Sequence, residues 1–569
     1  MKRLRWQLLI VFLALIAIGV LLLGQQPVTV QPLSPEPITG GNYTEGLIGQ
    51  FSRLNPILAY YNAADRDVNR LIYSRLIYFD DRGLPQPELA ESWGISRDGT
   101  VYNFSLRIDA LWHDGTPVTS ADVVYTINLL KEPALPIPED LRQFWSEIEV
   151  EALDEHTIQF RLPEPFAPFL DHLSFGILPF HRLGGQTPEG LVNDPYNMTP
   201  VGSGPFRFEQ LIVEDDLIKG VALTAFDDYF DGRPFIDQVI FRYYPDAASA
   251  LAAYQAGEVS GISQITPEIL KAALAEPDLN FYTGRLPELA LILLNLDDEG
   301  MPFFQDAEIR KALLMGLNRQ WMVDRVLNSQ AAIADGPIFP NTWAYYDGIS
   351  RIDYDADKAV QAIKAVGYTI PASGGAVRTN EDGVAFSFTL LHPEGEPYTS
   401  LAAIIRENWQ ALGIGVELRA IPYDELISNY LDTRNYDAAL VDLNLFRSPD
   451  PDPYPFWHQT QATGGQNYSQ WDDRQASEYL EQARIVVDPT ERTRLYRNFQ
   501  VRFANALPAL PLYYPMYTYG VDAQVQGVRI GPLFDTPDRF ASVNDWFLYA
   551  ERSAGGDQFD QPTPFPLEP

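Results

Sequence analysis

The sequence predicts an α/β protein of more than one domain, and three observations support this fold class. The chain has 569 residues, which is too long for one ordinary hydrophobic core, so we expect two or three domains. In the C-terminal half a helical pattern ends at a glycine and a strand pattern follows at once, an order typical of α/β layers. The N-terminal half is richer in strand and turn patterns, and no internal repeat is visible.

The composition is that of a folded protein that does not bind nucleic acid. Hydrophobic residues make up 46% of the chain and aromatic residues 12%, which excludes disorder throughout the chain and leaves aromatic side chains to line a binding cleft. The formal net charge is −35. Nucleic-acid binding needs a basic surface, so this charge excludes that class of partner.

The cysteine and histidine content of the sequence does not indicate a metal site or a covalent mechanism. It contains no cysteine, so disulfides, thiolate nucleophiles and a lipid-bearing N-terminal Cys are excluded. The histidines are scattered without the spacing of metal ligands. We therefore expect no metal site and no cofactor. The histidines are His113, His156, His172, His181, His392 and His458.

The N-terminus has the pattern of an exported protein. Lys2, Arg3 and Arg5 precede an apolar run at residues 8–23, and such a basic flank stays in the cytoplasm. The run is short for a spanning helix, which usually needs ~20 residues, and its length also suits a cleavable signal peptide. No A-x-A-like pair of small residues follows, which favours an uncleaved anchor. We expect one hydrophobic helix, within residues 1–24, that tethers the protein to the cytoplasmic membrane.

Two further segments lie outside the predicted domains. Residues 25–44 are rich in proline, so we expect an extended linker that lifts the domains off the bilayer. Residues 553–569 are rich in Gly, Pro and Asp, and we expect a disordered tail there.

Apolar spacing predicts individual strands and helices. Tyr102, Phe104, Leu106 and Ile108 alternate with polar residues, which indicates a half-buried strand. Capping residues followed by an apolar stripe predict helix starts. The predicted helices begin at Thr119 (with Asp122 in capping-box spacing), at Asp306, at Asp355 and at about Ser400, the last ending at Gly413 before a strand over residues 414–420.

A series of short segments follows one order along most of the chain. The most specific begins Leu89-Ala90-Glu91-Ser92-Trp93 and continues through residues 102–107 and 110–123. The others lie at residues 200–206, 295–296, 309–319, 354–368, 412–418, 436–440, 450–453 and 467–469. In this order they resemble the bacterial solute-binding proteins of family 5, the oligopeptide-, dipeptide- and nickel-binding components of ABC importers, over residues 46 to about 543.

The resemblance implies a two-lobed, periplasmic-binding-protein-like α/β fold with an extra β-rich subdomain. The first lobe would span residues 45–294, with the subdomain inserted at about residues 65–200. The second lobe would span residues 295–510, and residues 511–552 would return to the first. Asn295 and residues 510–513 would lie near the two crossovers.

The function implied by the resemblance is capture of a solute outside the cytoplasm. The two lobes would close over a peptide or a similar small solute and deliver it to the permease subunits of an ABC importer. The protein would act as a monomer, without cofactor and without turnover. The alternatives are an oligosaccharide, an opine-like compound or a metal chelate as ligand, a hydrolase that uses paired carboxylates, and a signalling ectodomain that reports occupancy to a membrane partner.

One position departs from the family's peptide-binding pattern. Relatives that bind peptides have an Asp shortly before the Asp-Pro-Asp-like segment, and that Asp pairs with the ligand's α-ammonium. Here the gap-free register places Arg447 at this position. A guanidinium would repel an ammonium and attract a carboxylate. If the loop register shifts, Asp442 would take the place of the ammonium-binding Asp. The structural alternative is that Arg447 lies on the rim of the cleft and forms an ion pair with Asp450 or Asp452.

The other candidates have structural alternatives of their own. Phe446 and Trp457 would stack on a ligand or pack in a core. Ser203 lies in Gly202-Ser203-Gly204, which suggests a tight backbone approach near the cleft rather than a nucleophile elbow. Asp450-Pro451-Asp452-Pro453 indicates a rigid turn rather than an acid–base pair. We predict no catalytic residue. The predicted ligand-binding residues are Asp442, Asn444, Phe446, Arg447, Trp457, Ser203 and Asn295.

Overall fold

The computed structural model describes residues 36–551. The hydrophobic segment at residues 1–24, most of the proline-rich linker and the tail at residues 553–569 lie outside this range. Within it, no helix combines the length and the apolar composition needed to cross a bilayer. The described residues form a mixed α/β structure, as the sequence predicts.

The strands are numbered β1 to β20 in chain order. They are β1 Glu36–Ile38, β2 Asn42–Ile48, β3 Ile77–Phe79, β4 Pro85–Pro87, β5 Ala90–Ile95, β6 Val101–Leu106, β7 Glu149–Asp154, β8 Thr157–Arg161, β9 Phe206–Glu214, β10 Leu217–Ala225, β11 Gln238–Tyr244, β12 Gly261–Ile262, β13 Leu279–Arg285, β14 Glu288–Leu294, β15 Ala331–Ile333, β16 Ser387–Pro393, β17 Gly415–Ile421, β18 Ala438–Asn444, β19 Ala509–Asp522 and β20 Tyr549–Glu551.

The helices are numbered α1 to α16, with short 3₁₀ turns between some of them. They are α1 Ala63–Ile72, α2 Ser120–Leu130, α3 Glu139–Ser146, α4 Phe180–Leu183, α5 Pro188–Val192, α6 Ala247–Gln255, α7 Pro267–Ala273, α8 Pro302–Gln305, α9 Ala307–Met315, α10 Arg319–Val326, α11 Ala356–Ala365, α12 Tyr398–Ala411, α13 Tyr423–Glu425, α14 Tyr454–Trp457, α15 Arg474–Ile485 and α16 Pro489–Ala506.

Two strand segments connect an N-terminal lobe to a C-terminal lobe. The first half of β19 pairs with β14 and β15, and its second half pairs with β12 and β13. β13 and β14 follow each other with only two residues between them. One sheet therefore continues through both lobes, and the chain crosses between them at residues 286–287 and again within β19.

The lobes have different sheet orders. In the N-terminal lobe the order is β9-β10-β11-β2-β12-β19, with β2 parallel to β11 and to β12. In the C-terminal lobe the order is β17-β16-β18-β14-β19, with β16 parallel to both β17 and β18. Parallel neighbours require crossover connections, and the helices packed on the sheet supply them.

The hydrophobic cores change at the same places. Leu286 packs against the N-terminal core, whereas Leu289 belongs to a C-terminal one. On the return, Tyr514 belongs to the C-terminal lobe and Tyr517 to the N-terminal lobe. Asn295, expected near a crossover, instead follows the far end of β14, because the chain crosses before that strand rather than after it.

The subdomain predicted at about residues 65–200 contains its own four-stranded sheet, in the order β5-β6-β8-β7. Tyr102, Phe104 and Leu106 on β6 are buried, as their alternation predicts. The expectation for Ile108 was wrong, since β6 ends at Leu106 and the Ile108 side chain is 77% exposed. The apolar residues of this sheet belong to the same core as the rest of the N-terminal lobe.

The predicted helix boundaries are confirmed because capping is a local interaction. The Asp122 carboxylate accepts a hydrogen bond from the backbone N–H of Thr119 at 2.8 Å. Asp306 and Asp355 are themselves the N-caps of α9 and α11, and their carboxylates accept hydrogen bonds from the backbone N–H of Glu308 at 2.7 Å and of Lys358 at 2.9 Å. α12 ends at Ala411 and is followed by Leu412 and Gly413, which has a φ of +86°, before β17 begins. Glycine adopts this left-handed conformation without the steric penalty of a side chain.

A buried charge cluster fixes the returning C-terminal segment to the N-terminal lobe. Arg539 is fully buried and forms ion pairs with Glu45 on β2 and, at 2.8 Å, with Asp67 on α1. The Tyr519 hydroxyl donates to the Glu45 carboxylate at 2.5 Å. Because Asp67 lies on α1, this cluster also fixes the helix that forms one wall of the cavity described next.

Candidate functional site

A cavity of about 420 Å³ lies between the two lobes. Its size falls at the lower end of the range for small-molecule sites. The N-terminal lobe contributes most of the walls, and a loop after β18 contributes the C-terminal side. The wall residues include Ile57, Tyr60, Arg66, Asn69, Tyr73, Leu141, Phe144, Asp171, His172, Phe175, Phe446, Arg447, Ser448, Pro449, Asp535 and Asp538.

Helix α1 forms the polar wall of the cavity. Arg66 and Asn69 are three residues apart on α1, so they lie on one face of the helix, and Tyr73 follows directly after the helix end at Ile72. Arg66 binds Asp535 through Nε at 2.9 Å and Nη2 at 3.1 Å, a two-point ion pair. Asn69 is only 4% exposed, and neither its Nδ2 nor its Oδ1 has a hydrogen-bond partner among the described residues.

The opposite part of the cavity is aromatic. The His172 ring stacks on Phe144 with centroids 3.8 Å apart and planes 25° apart. Burial, and next the positive charge of the nearby Arg484, lower the pKa of His172 to about 4. The imidazole is therefore neutral at pH 7, so this wall with Phe175 and Leu141 offers an apolar surface to a ligand.

The C-terminal lobe reaches the cavity through the loop after β18. Asn444, the last residue of β18, accepts a hydrogen bond from the backbone N–H of Phe446 through Oδ1 at 2.9 Å. Arg447 has a φ of +63°, an uncommon conformation for a residue with a side chain. Its backbone N–H donates to the carbonyl of Phe534 in the N-terminal lobe at 2.6 Å. These bonds hold Phe446 and Arg447 at the cavity.

Arg447 makes its main contact across the cleft. Its guanidinium carbon lies 3.6 Å from the centroid of the Tyr60 ring. Burial lowers the pKa of Arg447 below its usual value, while Tyr60 and Asp535 partly oppose this shift. Among the described residues, no carboxylate lies within ion-pair distance of this side chain.

The pairing of Arg447 with Asp450 or Asp452, considered from the sequence, is wrong because other arginines hold both carboxylates. Arg492 binds Asp450 at 2.5 Å, and Arg484 binds Asp452 at 2.7 Å. This leaves Arg447 free to face the cavity. With both carboxylates neutralised by arginines, the pair also lacks the free acid and base that hydrolysis needs.

Asp450 connects the lobes as well. Its backbone N–H donates to Oδ2 of Asp171 in the N-terminal lobe at 2.7 Å. Burial, and next the negative charge of Asp450, raise the pKa of Asp171 well above its usual value. Arg492 and Asp452 are the other charged groups that act on Asp171. Contact between the lobes therefore brings two carboxyl groups together.

Asp442 and Asn444 lie on β18, outside the cavity walls. The Tyr398 hydroxyl donates to Oδ2 of Asp442, and the Tyr423 hydroxyl donates to its backbone carbonyl at 3.2 Å. Burial, followed by the charge of Asp442, raises the pKa of the neighbouring Glu288 to about 7. Asp442 thus belongs to an acidic cluster with tyrosines on the C-terminal lobe.

Three other predicted ligand-binding residues occupy structural positions. Trp457 is 2% exposed and packs edge-on against Phe503 in the core of the C-terminal lobe. Ser203 is fully buried, and its backbone carbonyl accepts a hydrogen bond from Ser74 Oγ at 2.8 Å. Asn295 donates through Nδ2 to the carbonyls of Arg434 and Tyr436 at 3.1 and 3.0 Å. None of the three lies on the walls of the interlobe cavity.

The glycines beside Ser203 make the close backbone approach that the sequence suggests. A Cβ on Gly202 would lie 1.9 Å from the Ile72 carbonyl oxygen, and one on Gly204 would lie 2.5 Å from that of Leu71. Both carbonyls belong to the end of α1. Only glycine permits this contact, which packs the 200–206 segment behind the helix that carries Asn69.

A second cavity, of about 430 Å³, lies in the C-terminal lobe beyond the far end of β14. Asn295, Gln470, Arg419 and Asp437 lie on its walls. It touches only one lobe, and its residues Asn295 and Asp437 are already hydrogen-bonded within the fold. The interlobe cavity is therefore the stronger candidate.

Sequence reasoning missed Tyr60, Asn69, Phe144 and His172 as cavity residues. The spacing of Arg66 and Asn69 on a capped helix was a usable signal, because two polar residues three positions apart share one face. For Phe144 and His172 the sequence carries no comparable signal, since their stacking joins α3 to a 3₁₀ turn at Ala167–Leu173.

Comparison with known proteins gives a consistent match over most of the chain. A sequence model described as bacterial extracellular solute-binding proteins, family 5 Middle, matches residues 85–466. The oligopeptide-binding protein AppA of Bacillus subtilis (strain 168) is 27% identical over 525 residues, which cover 90% of this chain and 92% of that protein. Di/tripeptide-binding protein 2 of Pseudomonas aeruginosa (strain UCBPP-PA14) is 28% identical over 473 residues, covering 79% and 84%.

The solved structure of Bacillus subtilis AppA in complex with a nonapeptide has the same fold. It superimposes with a TM-score of 0.64 at 26% identity, covering 90% of this chain and all of that one.

Proposed function

This chain belongs to family 5 of the bacterial extracellular solute-binding proteins, and on that basis we propose that it captures a peptide or a similar small solute for an ABC importer. The solute is held between the two lobes, and the occupied protein delivers it to the permease subunits in the membrane. The protein works as a monomer and leaves its solute chemically unchanged.

The observation that carries this proposal is the cavity shared by both lobes. Its walls come from α1 and the subdomain on one side and from the loop with Phe446 and Arg447 on the other. Within residues 36–551 the chain passes between the lobes at two segments, residues 286–287 and β19. A two-strand connection lets the lobes rotate as rigid bodies, so opening would expose the cavity and closing would enclose a solute.

The location follows from the family and from the N-terminal sequence. The folded part acts outside the cytoplasm, and the apolar run at residues 8–23 with its basic flank anchors it to the cytoplasmic membrane. The proline-rich linker holds it at a distance from the bilayer.

The proposed ligand contacts differ in part from those predicted by sequence. Phe446 and Arg447 contact the solute directly, together with Tyr60, Asn69 and Phe144. Asp442 and Asn444 shape the strand end that carries the loop. Trp457 and Asn295 support the fold of the C-terminal lobe, and Ser203 supports the segment that follows α1.

The test is binding by the full-length chain, purified in detergent. Melting temperature and intrinsic fluorescence are measured with a library of di- to nonapeptides, with oligosaccharides, with opine-like compounds and with metal chelates. We expect peptides to raise the melting temperature, and mass spectrometry to recover them intact. Stabilisation by sugars alone, or cleavage of a bound peptide, would contradict the proposal.

A further inference from the structure

We infer that the solute held in the interlobe cavity carries a carboxylate or an equivalent planar anionic group, which the Arg447 guanidinium binds. This inference rests on the proposed function and specifies the class of solute for the same site. It predicts that the ligand's negative charge, rather than a terminal ammonium, determines recognition.

The other arginines on the cavity walls lie close to carboxylates. Arg66 is paired with Asp535 at 2.9 Å, and Arg75 is paired with Glu88 at 3.0 Å. Arg70 lies 3.8 Å from Glu88. Among the described residues that form the walls, Arg447 is the arginine whose side chain has neither a carboxylate partner nor a hydrogen bond.

The environment of the Arg447 guanidinium also suits an anionic ligand. Its face lies over the Tyr60 ring, so its planar edge remains available to an acceptor in the cavity. Arg presents several N–H donors in a fixed plane that matches the two oxygens of a carboxylate. Removing a cation from water without pairing it is unfavourable, and a bound anion would remove that penalty.

The buried side-chain amide of Asn69 offers a second polar contact to the solute. Its Nδ2 and Oδ1 both lack partners, although the side chain is 4% exposed and lies on the cavity wall. Buried polar groups in native proteins are nearly always hydrogen-bonded. Asn69 lies one helical turn from Arg66, so it can donate to and accept from an amide or hydroxyl group of the solute. A second polar group beside the anionic one is therefore expected.

Among the described residues, the buried cavity walls offer no anion as free as the Arg447 cation. Asp535 and Asp538 face Arg66 and Arg75, and Asp171 accepts a hydrogen bond from the Asp450 backbone. Asp140 is exposed and lies at the rim. Asp171 forms no ion pair among the described residues, but burial and the charge of Asp450 raise its pKa well above its usual value, which favours the neutral carboxyl and makes it a weak partner for an ammonium. The aromatic wall of Phe144, His172 and Phe175 suits an apolar group next to the anion.

The test uses four forms of one dipeptide, binding to the full-length protein by titration calorimetry. They are Ala-Phe, its C-terminal amide, its N-acetyl derivative and the derivative blocked at both ends. We expect amidation to weaken binding by about 10- to 100-fold, the effect of losing a charge-assisted hydrogen-bond pair. Acetylation of the amino group should change the Kd little.

Two variants connect this preference to Arg447. Arg447→Gln should bind the acid and the amide with similar affinity. Arg182→Gln removes an exposed arginine outside the cavity, so it should keep the preference of the unchanged protein. Equal melting temperatures would show that both variants fold. If Arg447→Gln fails to fold, the comparison of the four ligands on the unchanged protein still decides.

The outcomes separate this inference from the proposed function. Equal binding of acid and amide, or loss of binding on acetylation alone, overturns the anionic solute and leaves peptide capture intact. If none of the four dipeptides and no member of the peptide library binds, both the inference and peptide capture fail.

Discussion

The guanidinium of Arg447, on the C-terminal lobe, stacks on the ring of Tyr60, on the N-terminal lobe, at 3.6 Å from its centroid. This contact joins the two lobes at the wall of the cavity and orients a cation that has no carboxylate partner among the described residues. It therefore serves two purposes, since it holds the lobes together and fixes the group that we propose to recognise the solute.

Tyr60→Ala should weaken solute binding by about 3- to 30-fold, because a partly buried cation–π contact contributes ~0.5–2 kcal/mol. Tyr60→Phe retains the ring and should bind nearly as well as the unchanged protein. Calorimetry with the tightest peptide of the library measures both. Equal losses in the two variants would show that the hydroxyl group, rather than the ring, is what matters.

The Asp171 carboxyl group should bind a proton when the two lobes close. Burial and the nearby Asp450 raise its pKa well above the usual value when the lobes touch, and Asp450 moves away when they separate. A raised carboxyl pKa favours the closed state below the ordinary Asp pKa of about 4, and that advantage is lost as pH rises through the raised pKa. Affinity should therefore fall with rising pH, by at most about tenfold per pH unit for one proton.

Asp171→Asn removes this titration and keeps an acceptor for the Asp450 N–H. We expect the variant to bind more tightly than the unchanged protein at neutral pH and with a weaker dependence on pH. Calorimetry at pH 5.5, 6.5 and 7.5 compares the two proteins. Identical pH profiles would assign the dependence to another group.

Arg539 should be the most sensitive buried charge in the N-terminal lobe. Arg539→Met leaves Glu45 and Asp67 buried without their cation, and breaking such a pair typically costs about 3–5 kcal/mol of stability. The free energy of unfolding in urea measures this loss. Arg529→Met is the matched control, because the Arg529–Asp545 pair is largely exposed and contributes at most ~1 kcal/mol. Similar losses in the two variants would contradict the importance of the buried cluster.

His172 should make the protein less stable in mild acid. Burial lowers the pKa of His172 in the folded protein to about 4, whereas the ordinary histidine pKa is about 6.5. Between pH 6.5 and pH 4 the unfolded chain therefore binds a proton at His172 more readily than the folded protein does. Stability is present above that window and decreases as pH falls through it, by at most ~1.4 kcal/mol per pH unit for this group. His172→Phe keeps the stacking on Phe144 and should reduce the difference in unfolding free energy between pH 7.5 and 5. An unchanged difference would show that His172 does not contribute.

Local interactions made much of the fold predictable. The caps at Thr119, Asp306 and Asp355 depend on residues three positions away or less, so the sequence is sufficient to place those helix starts. The order of the family-like segments along the chain predicted the two-lobed architecture. The prediction that Ile108 belongs to the strand was wrong, because the alternation of apolar and polar residues does not show where a strand ends.

The site was less predictable because it joins residues that are distant in the sequence. Arg447 was identified by its unexpected charge, but its partner Tyr60 carries no signal in the chain. Trp457 and Ser203 have side chains suited to binding, yet tertiary packing buries them away from the cavity. Whether an aromatic or hydroxyl residue faces a ligand depends on its neighbours in the fold, and a single sequence does not identify these neighbours.

The most direct test of the account is mass spectrometry of the solute that copurifies with the full-length protein from its native host. The account predicts about one small peptide or peptide-like solute per chain, released intact on unfolding and carrying a carboxylate that R447Q no longer selects. A neutral sugar in that position, or a protein that carries no solute and that no peptide stabilises, would contradict it.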